Sequence, residues 1–273
     1  MTDHRIDTPF GMLSVRDSGG AGQPLLLIHG NSGCKDVFAV QFDAPELAGF
    51  RLIAPDLPGH GASQDAPDPG AAYTFAGYAA AIEAVLDTLG VAAPVVFGWS
   101  LGGHVALEMA GRGRALRGVM ISGTPPVKPA MEDLMAAFNI DPAAENLTAK
   151  RDFTEADALA YATATSAGAD GALDPHLLAM VKRTDGRARE VMFTSVVMGA
   201  PLDERAIVAG LTIPFAVANG EGDLFLKPEF FDTLSAPTLW PQGMLRIPGA
   251  GHAPFIQTPG VFNALLAEFA AGC

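Results

Sequence analysis

The sequence predicts an α/β fold: a mostly parallel sheet with helices on both faces and a helical block set into it. Three observations carry this. Short apolar, β-branched runs alternate with segments whose apolar residues recur at helical spacing. From about Val127 to about Ala206 the alternation stops, and the chain becomes rich in Ala, Met, Asp and Glu with helical patterns and no convincing strand. Between them, Val95 to Ala110 changes abruptly from a strand pattern to a helix pattern. The expected division is a core of residues 1–126 and 207–273 and a cap of residues 127–206. The cap would follow the strand after that helix and cover the C-terminal edge of the sheet, where α/β proteins bind ligands.

Taken in order, Met12 to Val15 and Leu25 to Ile28 read as strands, separated by the turn-forming run Ser18-Gly19-Gly20-Ala21-Gly22. The second strand runs into His29-Gly30-Asn31-Ser32-Gly33, a glycine-rich loop able to turn backbone N–H groups toward an anion. A helix is expected around Val37 to Leu47, then a strand at Arg51 to Ala54 and the loop Asp56-Leu57-Pro58-Gly59-His60-Gly61-Ala62-Ser63. His60, between two glycines, is read as part of a structural turn. Tyr78, Ile82, Val85, Leu86 and Leu89 mark an amphipathic helix stopped by Gly90. After the strand–helix switch, Val119 to Ser122 is a strand. Strand sequence resumes at Ile213 to Ala218 and at Met244 to Ile247, and Val261, Phe262, Leu265, Leu266 and Phe269 mark the last helix.

Composition narrows the function. Apolar residues make up 49% of the 273, ample for a large core. With 17 Lys+Arg against 30 Asp+Glu, the net charge is −13, which disfavours nucleic acid and anionic membranes as partners. The polar start MTDHRIDTPFG has no signal-peptide core, and no stretch reaches bilayer length. Cys34 and Cys273 give no disulfide framework, so a cytoplasmic, reduced protein is expected. There is no metal-ligand spacing of Cys and His and no phosphate-binding glycine motif, so neither metal nor nucleotide cofactor is expected.

The chemistry centres on Gly98-Trp99-Ser100-Leu101-Gly102. A strand that turns at once into a helix forces its central residue into a strained turn, and the flanking glycines avoid collisions that a Cβ would make. Ser100 is thereby presented at the sheet's edge, at a helix start that favours negative charge. A serine hydroxyl needs a base, an acid to orient the base, and an oxyanion site. The expected chain order is serine, acid, histidine. Asn219-Gly220-Glu221-Gly222-Asp223 follows one strand and Gly251-His252-Ala253-Pro254 follows the last. His252 is the expected base and Asp223 the expected acid, with Glu221 the alternative. The oxyanion hole would be the N–H groups of Leu101 and Asn31. His104 is placed beside or outside the nucleophile helix and His176 in the cap.

Together the His29-Gly30 loop, the Asp56 loop, the Ser100 turn and the Gly251-His252 segment resemble the α/β-hydrolase superfamily. A narrower resemblance is to the α/β-hydrolase type of N-acyl-homoserine lactonase, carried by HGNS at His29, IAPDLPGHG at Ile53, VFGWSLGGH at Val96, SGTPPV at Ser122, RTDGRAR at Arg183 and GHAPF at Gly251. That resemblance implies metal-independent opening of a lactone through an acyl-enzyme on Ser100, with a glutamate in the family where Asp223 stands here. It makes Tyr161 a ligand contact or a cap-packing residue, and Gly30 and Trp99 are further substrate-contact candidates. Met131, Leu134, Met135, Phe138, Met192, Phe193, Val196 and Val197 would line an acyl-chain tunnel or form the cap's own core. A carboxylesterase of different range and a non-catalytic ligand receptor are the competing expectations.

Overall fold

A computed structural model describes residues 1–141 and 143–273. Eight strands form one sheet: β1 (Thr2–Thr8), β2 (Gly11–Asp17), β3 (Gln23–Ile28), β4 (Phe50–Pro55), β5 (Val95–Trp99), β6 (Gly118–Ser122), β7 (Phe215–Gly220) and β8 (Leu239–Ile247). Their order is β1-β2-β4-β3-β5-β6-β7-β8. β2 pairs antiparallel with β1 and with β4, and every pair from β4 to β8 is parallel.

The central strands are apolar on consecutive residues because both faces of the sheet are covered. Alternate side chains enter separate cores. Leu26, Ile28, Val96, Val119 and Ile121 join one cluster, whereas Leu25, Leu27, Val95, Phe97, Trp99 and Met120 join the other. The first core is closed by α1 (Phe75–Thr88) and α2 (Leu101–Gly111), which contribute Tyr78, Ile82, Val105 and Leu107. Phe262, Leu266 and Phe269 of the C-terminal helix Pro259–Ala271 close the second. Thr74 begins α1 by accepting a hydrogen bond from Gly77 N–H.

Between β6 and β7, among the described residues, lie five helices: α3 (Met131–Ala137), α4 (Glu155–Ser166), α5 (Pro175–Arg183), α6 (Gly186–Val197) and α7 (Glu204–Gly210). Thr154 and Asp157 form a reciprocal capping box at the start of α4. The division expected at residue 206 falls inside α7. That helix packs on α2, where a Cβ on Gly111 would lie 2.5 Å from Ile207 Cδ1. Among the described residues, no helix is long and apolar enough to cross a membrane.

One strand has no counterpart in the sequence reading, and one expected helix is corrected. The N-terminal residues are a strand, at the sheet edge, where only Ile6 of β1 is buried and polarity is tolerated. The helix expected at Val37 to Leu47 is broken into a 3-10 turn at Lys35–Phe38, one helical turn at Ala39–Phe42 and a second 3-10 turn at Pro45–Leu47. Pro45 cannot donate the N–H that a continuing helix requires.

Candidate active site

Ser100 links β5 to α2 with φ 53° and ψ −119°, and only one other non-glycine residue, Ser32, has positive φ among the described residues. Such a conformation costs on the order of 1–3 kcal/mol and needs support from its surroundings. Hydrogen bonds supply part of it: Ser100 N–H donates to Ser122 O at 2.8 Å, and Thr124 Oγ1 donates to Ser100 O at 2.7 Å. The glycines supply the room. A Cβ on Gly98 would lie 2.4 Å from Gly102 O, and one on Gly102 would lie 2.1 Å from Ile28 O. Gly103, beyond the motif, is equally constrained, with Thr124 Oγ1 2.2 Å from where its Cβ would be.

His252 and Asp223 are brought together from the loops after β8 and β7. His252 Nδ1 lies 2.8 Å from Asp223 Oδ2, and both side chains are nearly sealed from solvent. Asp223 Oδ1 accepts the Phe225 N–H at 2.9 Å, so both carboxylate oxygens are engaged. The two loops press closely, since a Cβ on Gly220 would fall 2.1 Å from Gly251 O. Glu221, the alternative acid, is exposed. Trp99 Nε1 donates to His252 O at 2.8 Å and its ring packs 5.7 Å from the imidazole.

Ser100, Leu101, Asn31, Tyr161 and His252 line one cavity of about 390 Å³. A hydrogen bond from Ser100 Oγ to His252 Nε2 is not made among the described residues. Leu101 N–H, at the first position of α2, has no intrahelical acceptor. Asn31 is anchored from three sides. Its Nδ2 donates to Thr148 O at 3.1 Å, its O accepts Tyr161 Oη–H at 3.3 Å, and Ser32 Oγ lies 3.4 Å from its Oδ1. Burial pushes the Tyr161 phenol up to about 12, so its hydroxyl is a donor at neutral pH.

Trp99 and Gly30 are not placed against the cavity. Trp99 is 1% exposed in the second core, where its indole N–H holds His252 O. Gly30 lies beneath Ser100: a Cβ there would be 3.1 Å from Ser100 Cβ and from Trp99 Cε3. Of the proposed tunnel residues, Met131, Leu134, Phe138, Met192, Phe193 and Val196 line the cavity, and Leu134, Met192 and Val196 are also buried in the first core. Met135 and Val197 are not among its walls and are exposed.

His60 is fully buried. Its Nδ1 lies 2.9 Å from Pro58 O, and burial brings its pKa down to about 3, leaving a neutral ring. His29 is neutral for the same reason and has a defined tautomer. Its Nε2 accepts the Leu57 N–H and its Nδ1–H donates to Gly30 O. Asp56 fixes the neighbouring loop, accepting from Lys35 N, Lys35 Nζ and Ala62 N.

Two arrangements escaped the sequence. His104, on the same cavity wall, forms a second histidine–carboxylate pair behind it, with Nδ1 2.8 Å from Glu204 Oε1 on α7. Nothing in the sequence joins positions a hundred residues apart. Cys34, Asp36 and His176 place ligand-type atoms within 4.8 Å of one another. Asp36 there is already engaged by Arg16 at 2.7 Å and His176 at 2.8 Å, and burial and nearby carboxylates push the Cys34 thiol up to about 12. A cation would have to displace the arginine and deprotonate that thiol, so this is an ion-pair cluster.

The geometry agrees with comparisons to known proteins. Residues 23–259 match the alpha/beta hydrolase fold family. The N-acyl homoserine lactonase AidH, solved in complex with N-butanoyl homoserine, is 42% identical, with a TM-score of 0.92 over 98% of this chain and 96% of that one. A pimeloyl-[acyl-carrier protein] methyl ester esterase of Xylella fastidiosa strain M12 is 30% identical, covering 92% of this chain and 96% of the relative. A 2-succinyl-6-hydroxy-2,4-cyclohexadiene-1-carboxylate synthase of Klebsiella pneumoniae is 28% identical over 93% and 97%. With the strained serine turn, the sheet order and the matched length in agreement, the chain belongs to the α/β-hydrolase family.

Proposed function

We propose that this protein is a metal-independent serine hydrolase that opens the lactone ring of N-acyl-homoserine lactones. The observation that carries the reading is the cavity wall shared by Ser100 and His252, backed by the 2.8 Å bond from His252 to Asp223. The 42% identity to AidH over nearly the full chain supports the substrate class.

Ser100 Oγ attacks the ring carbonyl while His252 Nε2 takes its proton. Asp223 holds Nδ1–H and stabilises the imidazolium. The carbonyl oxygen, now anionic, is met by the N–H groups of Leu101 and Asn31. Collapse breaks the ring C–O bond, and His252 returns the proton to the leaving alkoxide. The resulting hydroxyl stays tethered to the acyl-enzyme, so the enzyme carries every atom of the lactone. Water activated by His252 then attacks the ester carbonyl, releasing the N-acyl-homoserine and Ser100. One water is consumed. The apolar wall from Met131, Leu134 and Phe138 suits the acyl chain.

A second reading, a carboxylesterase acting on a different ester, is favoured by the methyl ester esterase relative. Acid-quenched mass spectrometry of the enzyme separates the two. A lactone substrate adds its full mass to the Ser100 peptide, whereas an open ester adds its mass less the alcohol. Labelling only by open esters would leave the esterase reading in place of the lactonase.

A further inference from the structure

The segment Arg183 to Arg189 is a motif that the triad leaves unexplained, and its last residue is unusual. Arg189, on α6, is 3% exposed. A buried arginine is ordinarily neutralised by a carboxylate. Among the described residues Arg189 makes no ion pair. Its Nε donates to Lys150 O at 2.7 Å and one terminal nitrogen donates to Arg151 O at 2.7 Å. The other donates to Ser32 Oγ at 3.1 Å, and the guanidinium lies 3.8 Å from the Phe153 ring centroid. Every hydrogen-bond partner is neutral, and Asp185 and Asp152 act on the guanidinium only through space, so the positive charge has no carboxylate in contact.

Ser32 adjoins Asn31 and has a φ of 56°, a conformation that costs a serine free energy. The turn is therefore held from the helical block, by Arg189 on Ser32, Tyr161 on Asn31 O and Thr148 O on Asn31 Nδ2. The rest of the motif ties that block to the core. Arg183 donates to Ser63 O, Asp185 N–H donates to Gly59 O, and Tyr73 Oη–H donates to Asp185 Oδ2.

We propose that Arg189 is a positioning residue for the oxyanion site: it locks the strained Asn31–Ser32 turn from the helical block and sets an unpaired positive charge on the loop whose N–H meets the anionic oxygen. This rests on the serine-hydrolase reading. Catalysis then depends on the helical block being seated, because the block completes the oxyanion site as well as covering the cavity. Arg189 is not among the cavity walls, so substrate binding is left largely to other groups.

The test compares Arg189→Met, Arg189→Lys and Ser32→Ala, with rates normalised to sites titrated by a fluorophosphonate. Loss of one oxyanion donor lowers kcat by roughly 10²–10³-fold. The expected fall is about 100-fold for Arg189→Met and about 10-fold for Ser32→Ala, with KM within about twofold. The lysine variant keeps the charge but not the three-way fork and should fall between them. Affinity for an alkylboronic acid, which forms a tetrahedral anion on Ser100, should drop in step with kcat, and in a fourth variant, Arg189→Ala, added guanidinium should restore part of kcat. Unchanged kcat per titrated site in both Arg189→Met and Ser32→Ala, or a loss carried by KM, would overturn the proposal. Failure of the fluorophosphonate to label Ser100 in the natural protein would instead overturn the serine-hydrolase reading.

Discussion

Two histidine–carboxylate pairs, each with its histidine on the cavity wall, have the same bond and different settings. His252 Nδ1 meets Asp223 Oδ2 at 2.8 Å, and His104 Nδ1 meets Glu204 Oε1 at 2.8 Å. Both histidines are buried and both line the cavity. His252 and Asp223 stand on loops beyond the ends of β8 and β7, joined to the sheet by Trp99 and the Gly220–Gly251 approach. His104 sits one turn along α2 from Ser100, stacked 5.0 Å from Phe75. Its partner Glu204 also accepts the Val127 N–H at 3.0 Å. The second pair therefore ties α2, α7 and the chain leaving β6 into one packed unit. A hydrogen-bonded dyad is common protein architecture; on the proposed mechanism, what sets the His252–Asp223 pair apart is its place on loops beside the strained Ser100 turn.

Mutation should split the pairs. Ser100→Ala and His252→Ala should each lower kcat by on the order of 10⁴–10⁶-fold with little change in unfolding temperature, measured by turnover and calorimetry. Asp223→Asn should lose about 10⁴-fold, since the amide favours the wrong imidazole tautomer. Normal turnover there would remove Asp223 from the mechanism. His104→Ala should behave in the opposite sense. It leaves the buried Glu204 side chain with only the Val127 N–H as partner, costing about 1–3 kcal/mol of stability in denaturant unfolding, with a far smaller effect on kcat per folded molecule. A His104→Ala protein of full stability and abolished turnover would contradict the contrast.

The smallest effect concerns His60 and His29, buried neutral next to the Gly30–Ser32 turn. Burial lowers both below their ordinary range, His60 to about 3. The unfolded chain then binds protons that the folded one refuses, so each contribution is fully present above about pH 6.5 and is lost as pH falls from there toward the folded value. The slope is at most about 1.4 kcal/mol per pH unit for each histidine. His60→Gln should flatten the fall in unfolding free energy between pH 6.5 and 4. An unchanged slope would mean that His60 protonates in the folded state.

These regions also differ in how far the sequence discloses them. The Ser100 turn is legible because its constraint is local: Gly98 and Gly102 are required by backbone atoms that a Cβ would strike. His252 and Asp223 are legible because each follows a strand. What is not legible depends on contacts across long separations. Arg189 reaches Ser32 over 157 residues, and His104 reaches Glu204 over 100. A polar edge strand such as β1 carries no apolar period, and Trp99, beside the nucleophile in sequence, points into the second core. Adjacency in the chain says nothing about which face a strand residue occupies until the strand's register is known.

Proton release on N-acyl-homoserine lactones of short and long chain, with a p-nitrophenyl ester alongside and Ser100→Ala as the blank, tests the central claim most directly. Serine-dependent ring opening that outpaces ester cleavage is the predicted result. Lactones left intact by an enzyme that cleaves the ester would contradict it.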